Sequence, residues 1–124
     1  YLRSTRMSIF QDQARFMKAC GQTVEGKNEG QASLYAALIG EEYNELINAT
    51  SEENDLKELI DVMVALIGYG LSKGWDLEGA WDEVWRSNMS KINPDSGMVA
   101  KREDGKILKG PMYIPADVSK FIGV

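Results

Sequence analysis

The chain has 124 residues, of which 44% are apolar and 27% are charged, the ordinary balance of one soluble globular domain. Its net charge of −5 argues against binding to nucleic-acid polymers, and no apolar run approaches the length of a membrane span. Histidine is absent, which excludes imidazole catalysis and most zinc sites, and the single cysteine, Cys20, fits a reducing cytoplasm.

Hydrophobic periodicity and stop signals predict four helices, over about residues 8–20, 31–48, 50–73 and 76–92. Thr50, with Glu53 three residues later, fits a capping box at the start of the third helix. This third helix carries apolar residues on all sides, which indicates a central, buried position. Asn93-Pro94 ends the fourth helix.

The C-terminal part of the chain has a different pattern. Residues 98–108 predict a short β-hairpin around Asp104-Gly105, and an extended strap with Pro111 and Pro115 begins at Lys109. We therefore predict an all-α fold in one domain over residues 1–124, with a four-to-five-helix bundle over about 8–93 and the hairpin and strap over about 94–124. Because such a bundle is thin, we expect a homo-oligomer, a dimer or tetramer, to complete its core.

Two pairs of acidic residues lie on the second and third predicted helices. Glu42 and Glu45 are three residues apart, as are Glu58 and Asp61, so the members of each pair share a helix face. If the two helices are antiparallel, Glu42 meets Asp61 and Glu45 meets Glu58. Four such carboxylates repel one another and are costly to desolvate unless a cation lies between them. All-oxygen ligands suit Mg²⁺, with Mn²⁺ as a substitute.

Each acidic candidate also has an interpretation without a ligand. The four carboxylates could be solvated helix residues that pair with Lys57 or Lys73. Glu41, which is offset by one residue from Glu42, could hold a water as general base or could simply be exposed. The shared face and the symmetry of the two pairs favour the metal site.

Four residues nearer the C-terminus are candidates for substrate binding. Asn88 and Lys91, three apart on the fourth helix, could form a helix-end polar pair or present an amide and an ammonium to phosphates. Lys109 lies in the basic part of an acidic chain, which suits an anionic substrate. Tyr113 could stack on a base or pack in the core. We place all four at the substrate site.

These residues resemble a known family. Glu41-Glu42-x-x-Glu45, a 12-residue gap and Glu58-x-x-Asp61 resemble the signature of the all-α nucleoside triphosphate pyrophosphohydrolases. That superfamily includes the MazG-like enzymes, the dimeric dUTPases and the phosphoribosyl-ATP pyrophosphohydrolases. The segments Ser87-Asn88-Met89-Ser90-Lys91 and Lys109-Gly110-Pro111-x-Tyr113 are similar to the phosphoribosyl-ATP pyrophosphohydrolase-like branch.

The resemblance implies Mg²⁺-dependent cleavage of a nucleotide between its α and β phosphates, which releases a nucleoside monophosphate and pyrophosphate. The metal ligands that it implies are Glu42, Glu45, Glu58 and Asp61. Glu41 would orient or deprotonate the attacking water, and Asn88 and Lys91 would face the nucleotide. A pyrimidine deoxynucleotide is the favoured substrate. Phosphoribosyl-ATP is the alternative, and a noncatalytic helical oligomer with a structural cation site is the rival from another class.

Overall fold

The structure, a computed structural model, describes residues 8–123. Its elements are α1 (Ile9–Ala19), α2 (Glu29–Ile47), α3 (Glu52–Ser72), α4 (Leu77–Met89) and a short 3₁₀-helix (Ser119–Phe121). The four predicted helices are therefore present, each displaced by no more than three residues at either end, and the all-α class is confirmed. Among the described residues, no helix is long and apolar enough to cross a membrane.

Side chains that precede the first three helices cap them. Ser8 forms a capping box with Gln11 at α1, and Asn28 accepts a hydrogen bond from a backbone N–H at the start of α2. At α3 the cap is Ser51, whose Oγ accepts from Asn54 N at 3.1 Å. The capping box predicted on Thr50 is therefore wrong. Ser51 is the N-cap, and it directly precedes an acidic first turn, which stabilises the positive end of the helix dipole.

The described residues fall into two compact units. The first comprises residues 8–77 with 122–123 and contains α1, α2 and α3. The second, Glu78–Phe121, contains the rest of α4 and the C-terminal segment. The predicted single domain over residues 1–124 stays a prediction.

In the first unit, α2 and α3 form a helical hairpin and α1 packs on α3. The buried apolar side chains of the described chain are few: Met17, Ala32, Tyr35 and Ala65. The ring of Tyr35 lies directly on α3 at Gly68, in space that a Cβ at residue 68 would occupy. The hydroxyl of Tyr35 bonds to Gln22 Oε1 at 2.7 Å, and burial raises the pKa of this phenol. Gly68 thus allows α2 to approach α3 closely.

Helix α3 exposes much of the apolar surface that its sequence was expected to bury. Its exposed apolar side chains are Leu56, Leu59, Ile60, Met63, Val64 and Leu66. Part of this face forms an apolar groove of about 250 Å³ between α1 and α3, lined in part by Ile60, Met63 and Val64. A single chain therefore leaves its central helix half covered. The predicted oligomer stays a prediction.

In the second unit, the predicted hairpin is reduced to one isolated antiparallel bridge, between Lys101 and Ile107. The turn is present, since Gly105 N donates to Arg102 O at 2.8 Å, but no strand forms in the described part of the chain. A two-stranded ribbon without a third strand or a helix to cover it is marginal in water, which explains the short pairing. The predicted β-hairpin is not confirmed.

The segment predicted to be an extended strap, residues 109–115, is not extended throughout, and we call residues 109–117 the strap. It begins with a turn in which Tyr113 N donates to Gly110 O at 3.2 Å, and only then continues without regular structure. Pro111 occupies the second position of this turn, where its fixed φ is favourable.

Candidate active site

Three carboxylates meet on the α2–α3 hairpin. Glu42 of α2 and Glu58 and Asp61 of α3 each place one carboxylate oxygen within 4.8 Å of those of the other two. Glu58 is 7% exposed, while Glu42 and Asp61 are half-buried. The antiparallel hairpin produces this meeting, because residues equally far from the turn face each other on its two arms.

Two oxygens of this group have no hydrogen-bond partner. Glu42 Oε2 and Glu58 Oε2 are inaccessible to solvent, and nothing in the described part of the chain donates a hydrogen bond to them. A buried carboxylate oxygen without a donor is costly, and protein interiors rarely tolerate it. A hard divalent cation would satisfy both oxygens, so the residues present fit such an ion.

The pKa values of Glu42 and Glu58 also indicate that the group suits a bound cation. Burial and the charge of Glu45 raise the pKa of Glu42, and burial and the neighbouring carboxylate of Glu45 raise the pKa of Glu58. The ionised forms of both residues are therefore disfavoured by the protein alone. Lys57 Nζ lies 2.7 Å from Asp61 Oδ2 and offsets part of the negative charge. This pair is largely exposed, so its contribution is small, and it leaves the charge of the buried Glu58 largely unbalanced.

Of the other two acidic candidates, Glu45 lies beside the three carboxylates, whereas Glu41 is next to Glu42 only in sequence. Glu45 is exposed and outside the 4.8 Å group, but it is close enough to raise the pKa of both Glu42 and Glu58. Glu41 is exposed, about 100° around α2 from its neighbour Glu42. The alternative interpretation was that these carboxylates pair with Lys57 or Lys73. Such a pair is observed between Asp61 and Lys57, whereas Lys73 lies 3.1 Å from Glu29.

The four candidates for substrate binding all lie in the second unit. Lys91 Nζ donates to Asn88 Oδ1 at 3.1 Å, so these two side chains form the helix-end polar pair that the spacing predicts. Lys109 Nζ lies 5.1 Å from the ring centroid of Tyr113, which is half-buried, in a cation–π contact. The structure thus shows two separate contacts, one between Asn88 and Lys91 and one between Lys109 and Tyr113. Their roles in substrate binding stay predictions.

Sequence patterns did not single out one polar face, formed by α4 and the residue that follows it, that holds the strap. Its members are Glu83, Arg86, Ser87 and Ser90, which we call the clamp. Their spacing of three, four and seven residues from the first member is the signal that could have identified a shared helix face.

Glu83 and Arg86 form the ionic part of the clamp. Arg86 Nε and Nη2 donate to the two carboxylate oxygens of Glu83 at 3.1 and 2.8 Å, and Nη2 also donates to Pro115 O at 3.2 Å. Glu83 Oε2 in turn accepts from Asp117 N at 2.8 Å. These donors, Arg86 first, lower the pKa of Glu83 to about 2.

The clamp should therefore respond to acid. A carboxyl whose folded pKa is about 2, below its ordinary 4.5, contributes stability that is present above pH 4.5 and is lost as the pH falls toward 2. Arg86 and Lys120 favour its ionised form, while Asp117 N donates to it. We expect the free energy of unfolding to fall more steeply between pH 4.5 and 2 in the wild type than in Glu83→Gln. Urea unfolding at successive pH values measures this, and equal slopes would contradict it.

A sequence search among curated proteins finds no match to this chain. A protein-family model described as phosphoribosyl-ATP pyrophosphohydrolase matches residues 14–88, which is more than half of the chain and includes all five acidic candidates. The match confirms the resemblance drawn from the acidic signature. The chain belongs to the phosphoribosyl-ATP pyrophosphohydrolase family and is accordingly a nucleotide pyrophosphohydrolase, a hydrolase of phosphoric anhydrides.

Proposed function

We propose that the protein is a Mg²⁺-dependent nucleoside triphosphate pyrophosphohydrolase that cleaves between the α and β phosphates and releases a nucleoside monophosphate and pyrophosphate. The observation that carries this proposal is the group of Glu42, Glu58 and Asp61, with two buried carboxylate oxygens that lack donors. A site of this kind is unfavourable for the protein alone and becomes favourable with a cation and an anionic substrate.

The proposed metal ligands are Glu42, Glu58 and Asp61, with Glu45 beside them as a fourth carboxylate. When bound, Mg²⁺ would neutralise phosphate charge and lower the pKa of water, with Mn²⁺ as a substitute. The protein's part is to hold the ligands in place. α2 and α3 fix three of them before any ion binds, because their carboxylate oxygens already lie within 4.8 Å of one another.

We assign the role of general base to Glu41. Its carboxylate is exposed, so water can reach it, and it is adjacent in sequence to a proposed metal ligand. Glu41 would accept a proton from the attacking water while the water oxygen bonds to the α phosphorus. The bond from that phosphorus to the bridging oxygen breaks, and pyrophosphate leaves with the bond's electron pair.

For the substrate, we assign nucleotide binding to Asn88, Lys91, Lys109 and Tyr113. The two ammonium groups suit phosphate oxygens, and an aromatic ring suits a base. Tyr113 is half-buried, which is compatible with a ring that keeps one surface available. We favour a pyrimidine deoxynucleoside triphosphate such as dUTP or dCTP.

A second candidate substrate is phosphoribosyl-ATP, and the observation that favours it is the description of the matching family model. The chemistry is the same, since the bond between the α and β phosphates is broken and pyrophosphate is released. Complementation of a histidine auxotroph would separate the two substrates. Growth without histidine would support phosphoribosyl-ATP, and its absence together with turnover of a deoxynucleotide would exclude it.

We further propose that the protein is a cytoplasmic homo-oligomer. The exposed apolar face of α3 supports an oligomer, because Ile60, Met63 and Val64 would be removed from water by a second copy. The exposed thiol of Cys20 suits a reducing compartment. Analytical ultracentrifugation at micromolar concentration should give a dimer or tetramer, and a monomer would contradict this proposal.

The experiment that tests the function is pyrophosphate release from a panel of nucleoside triphosphates plus phosphoribosyl-ATP, each with Mg²⁺ and with EDTA. We expect release from one or a few members of the panel that depends on the metal. Thermal stabilisation by Mg²⁺ would not by itself establish the function, because a structural cation site would also be stabilised. The absence of turnover with both Mg²⁺ and Mn²⁺ would favour that noncatalytic alternative.

A further inference from the structure

We propose that the clamp, Glu83, Arg86, Ser87 and Ser90, consists of positioning residues that hold Lys109 and Tyr113 in the conformation that binds the nucleotide. This inference rests on the proposed function, which makes Lys109 and Tyr113 nucleotide contacts. The clamp residues themselves touch the strap and are not assigned any contact with the substrate.

The first argument is that side chains of α4, and of Ser90 directly after it, satisfy the backbone of the strap. Ile114 N donates to Ser90 Oγ at 3.0 Å, and Ile114 O accepts from Ser87 Oγ at 2.9 Å. Pro115 O accepts from Arg86, and Asp117 N donates to Glu83. Backbone groups ordinarily pair within helices and sheets, so a segment whose backbone bonds to three side chains of α4 and to Ser90, directly after it, depends on them for its conformation.

The second argument is a close approach at the other end of the strap. A Cβ on Gly110 would lie 2.6 Å from Lys91 O, so only glycine allows the strap to pass so near the end of α4. The strap therefore passes close to the backbone of Lys91 at Gly110 and is held by side chains at 114–117, and Tyr113 lies between these two places. Lys109, directly before Gly110, contacts the ring of Tyr113.

The clamp should affect the affinity for the nucleotide more than the rate of the hydrolysis step. A lysine on a mobile strap would have to lose conformational freedom on binding, while a lysine on a strap that is already ordered loses less. The charged pair of Glu83 and Arg86 is bidentate, which makes it the most directional part of the clamp. Loss of the clamp should therefore weaken nucleotide binding and leave the rate constant of the chemical step nearly unchanged.

The test compares three variants of the full-length protein. Arg86→Ala removes the ionic part of the clamp, and Arg86→Lys keeps the charge but not the fork of donors. Arg102→Ala is the matched control, because Arg102 also forms a bidentate pair with a carboxylate, Asp104, yet this pair is local to the turn before the strap. Hydrogen exchange at Ile114 and Asp117 reports the strap, and the Kd of α,β-imido-dUTP with Mg²⁺ reports binding independently of turnover.

We expect Arg86→Ala to accelerate exchange at both amides and to raise Kd, and KM where turnover is measured, by about tenfold, with kcat within about twofold of the wild type. Arg86→Lys should recover part of the affinity, and Arg102→Ala should resemble the wild type. Faster exchange with an unchanged Kd would overturn the proposal, as would a loss confined to kcat. If the wild type binds the analogue but hydrolyses no nucleotide, the proposed function fails while the clamp is still judged by Kd.

Discussion

Replacement of Glu58 by Gln should abolish Mg²⁺-dependent hydrolysis and at the same time stabilise the metal-free protein. The activity falls because a ligand charge is lost at the centre of the carboxylate group. We expect a loss larger than the roughly 10–100-fold that removal of an outer-shell partner costs at metal sites. The stability rises because Glu58 is 7% exposed, carries an oxygen without a donor and has a raised pKa, all of which oppose a buried charge.

Thermal unfolding in EDTA and in Mg²⁺ checks both halves of this prediction. The wild type should gain stability from the ion, by about 2.7 kcal/mol when Mg²⁺ is at 100 times its Kd, and Glu58→Gln should gain little. Glu53→Gln on the same helix is the matched control, since Glu53 is exposed, and it should keep both the activity and the response to Mg²⁺. Full activity in Glu58→Gln would refute the metal assignment.

Substitution of Gly68 by Ala should destabilise the protein by about 1–3 kcal/mol, the usual cost of overpacking a filled core. Helix propensity alone predicts the opposite sign, because Ala is favoured over Gly inside a helix by roughly 0.5–1 kcal/mol. The cost of overpacking exceeds the gain in helix propensity, because the added methyl would overlap the ring of Tyr35. That ring is 6% exposed and is anchored by its hydrogen bond to Gln22. The ring therefore has little room to move.

Gly40→Ala on α2 is the control for this substitution. No atom lies within 4 Å of a Cβ at residue 40, so this change should stabilise the helix as propensity predicts. Chemical denaturation of the two variants measures the difference directly. Stabilisation of both variants would show that Tyr35 adapts and that its contact with α3 is not close.

The helical hairpin and its carboxylates could be predicted from sequence for a definite reason. Helix α3 is continuously apolar along 62–67, so Glu58 and Asp61 at its acidic end stand out, and the 3.6-residue period assigns them to one face. Two arms joined by a short turn can only pack antiparallel, which places Glu42 opposite Asp61. The burial of Glu42 Oε2 and Glu58 Oε2 could not be predicted from the sequence, because it depends on how closely the two helices approach.

Other features of the structure were harder to predict from sequence. In some of them, neighbouring residues give similar local signals that compete. Thr50 and Ser51 are both good N-caps, and only the backbone geometry shows that Ser51 is used. The pattern around Asp104-Gly105 predicts a turn correctly but contains no information on whether paired strands would be covered. The bonds from Arg86 to the strap join residues almost 30 positions apart, and no period in the sequence reveals such pairs.

The placement of Glu42, Glu58 and Asp61 on the two arms of one hairpin has a consequence for how the protein folds. All three carboxylates lie within residues 42–61, so closing the loop between them costs little chain entropy. Binding of the proposed Mg²⁺ would then favour a local event, the packing of α2 against α3, before the whole fold is complete. An ion present during synthesis would therefore draw this hairpin together early, and the acidic residues that oppose folding without the ion would become its nucleus.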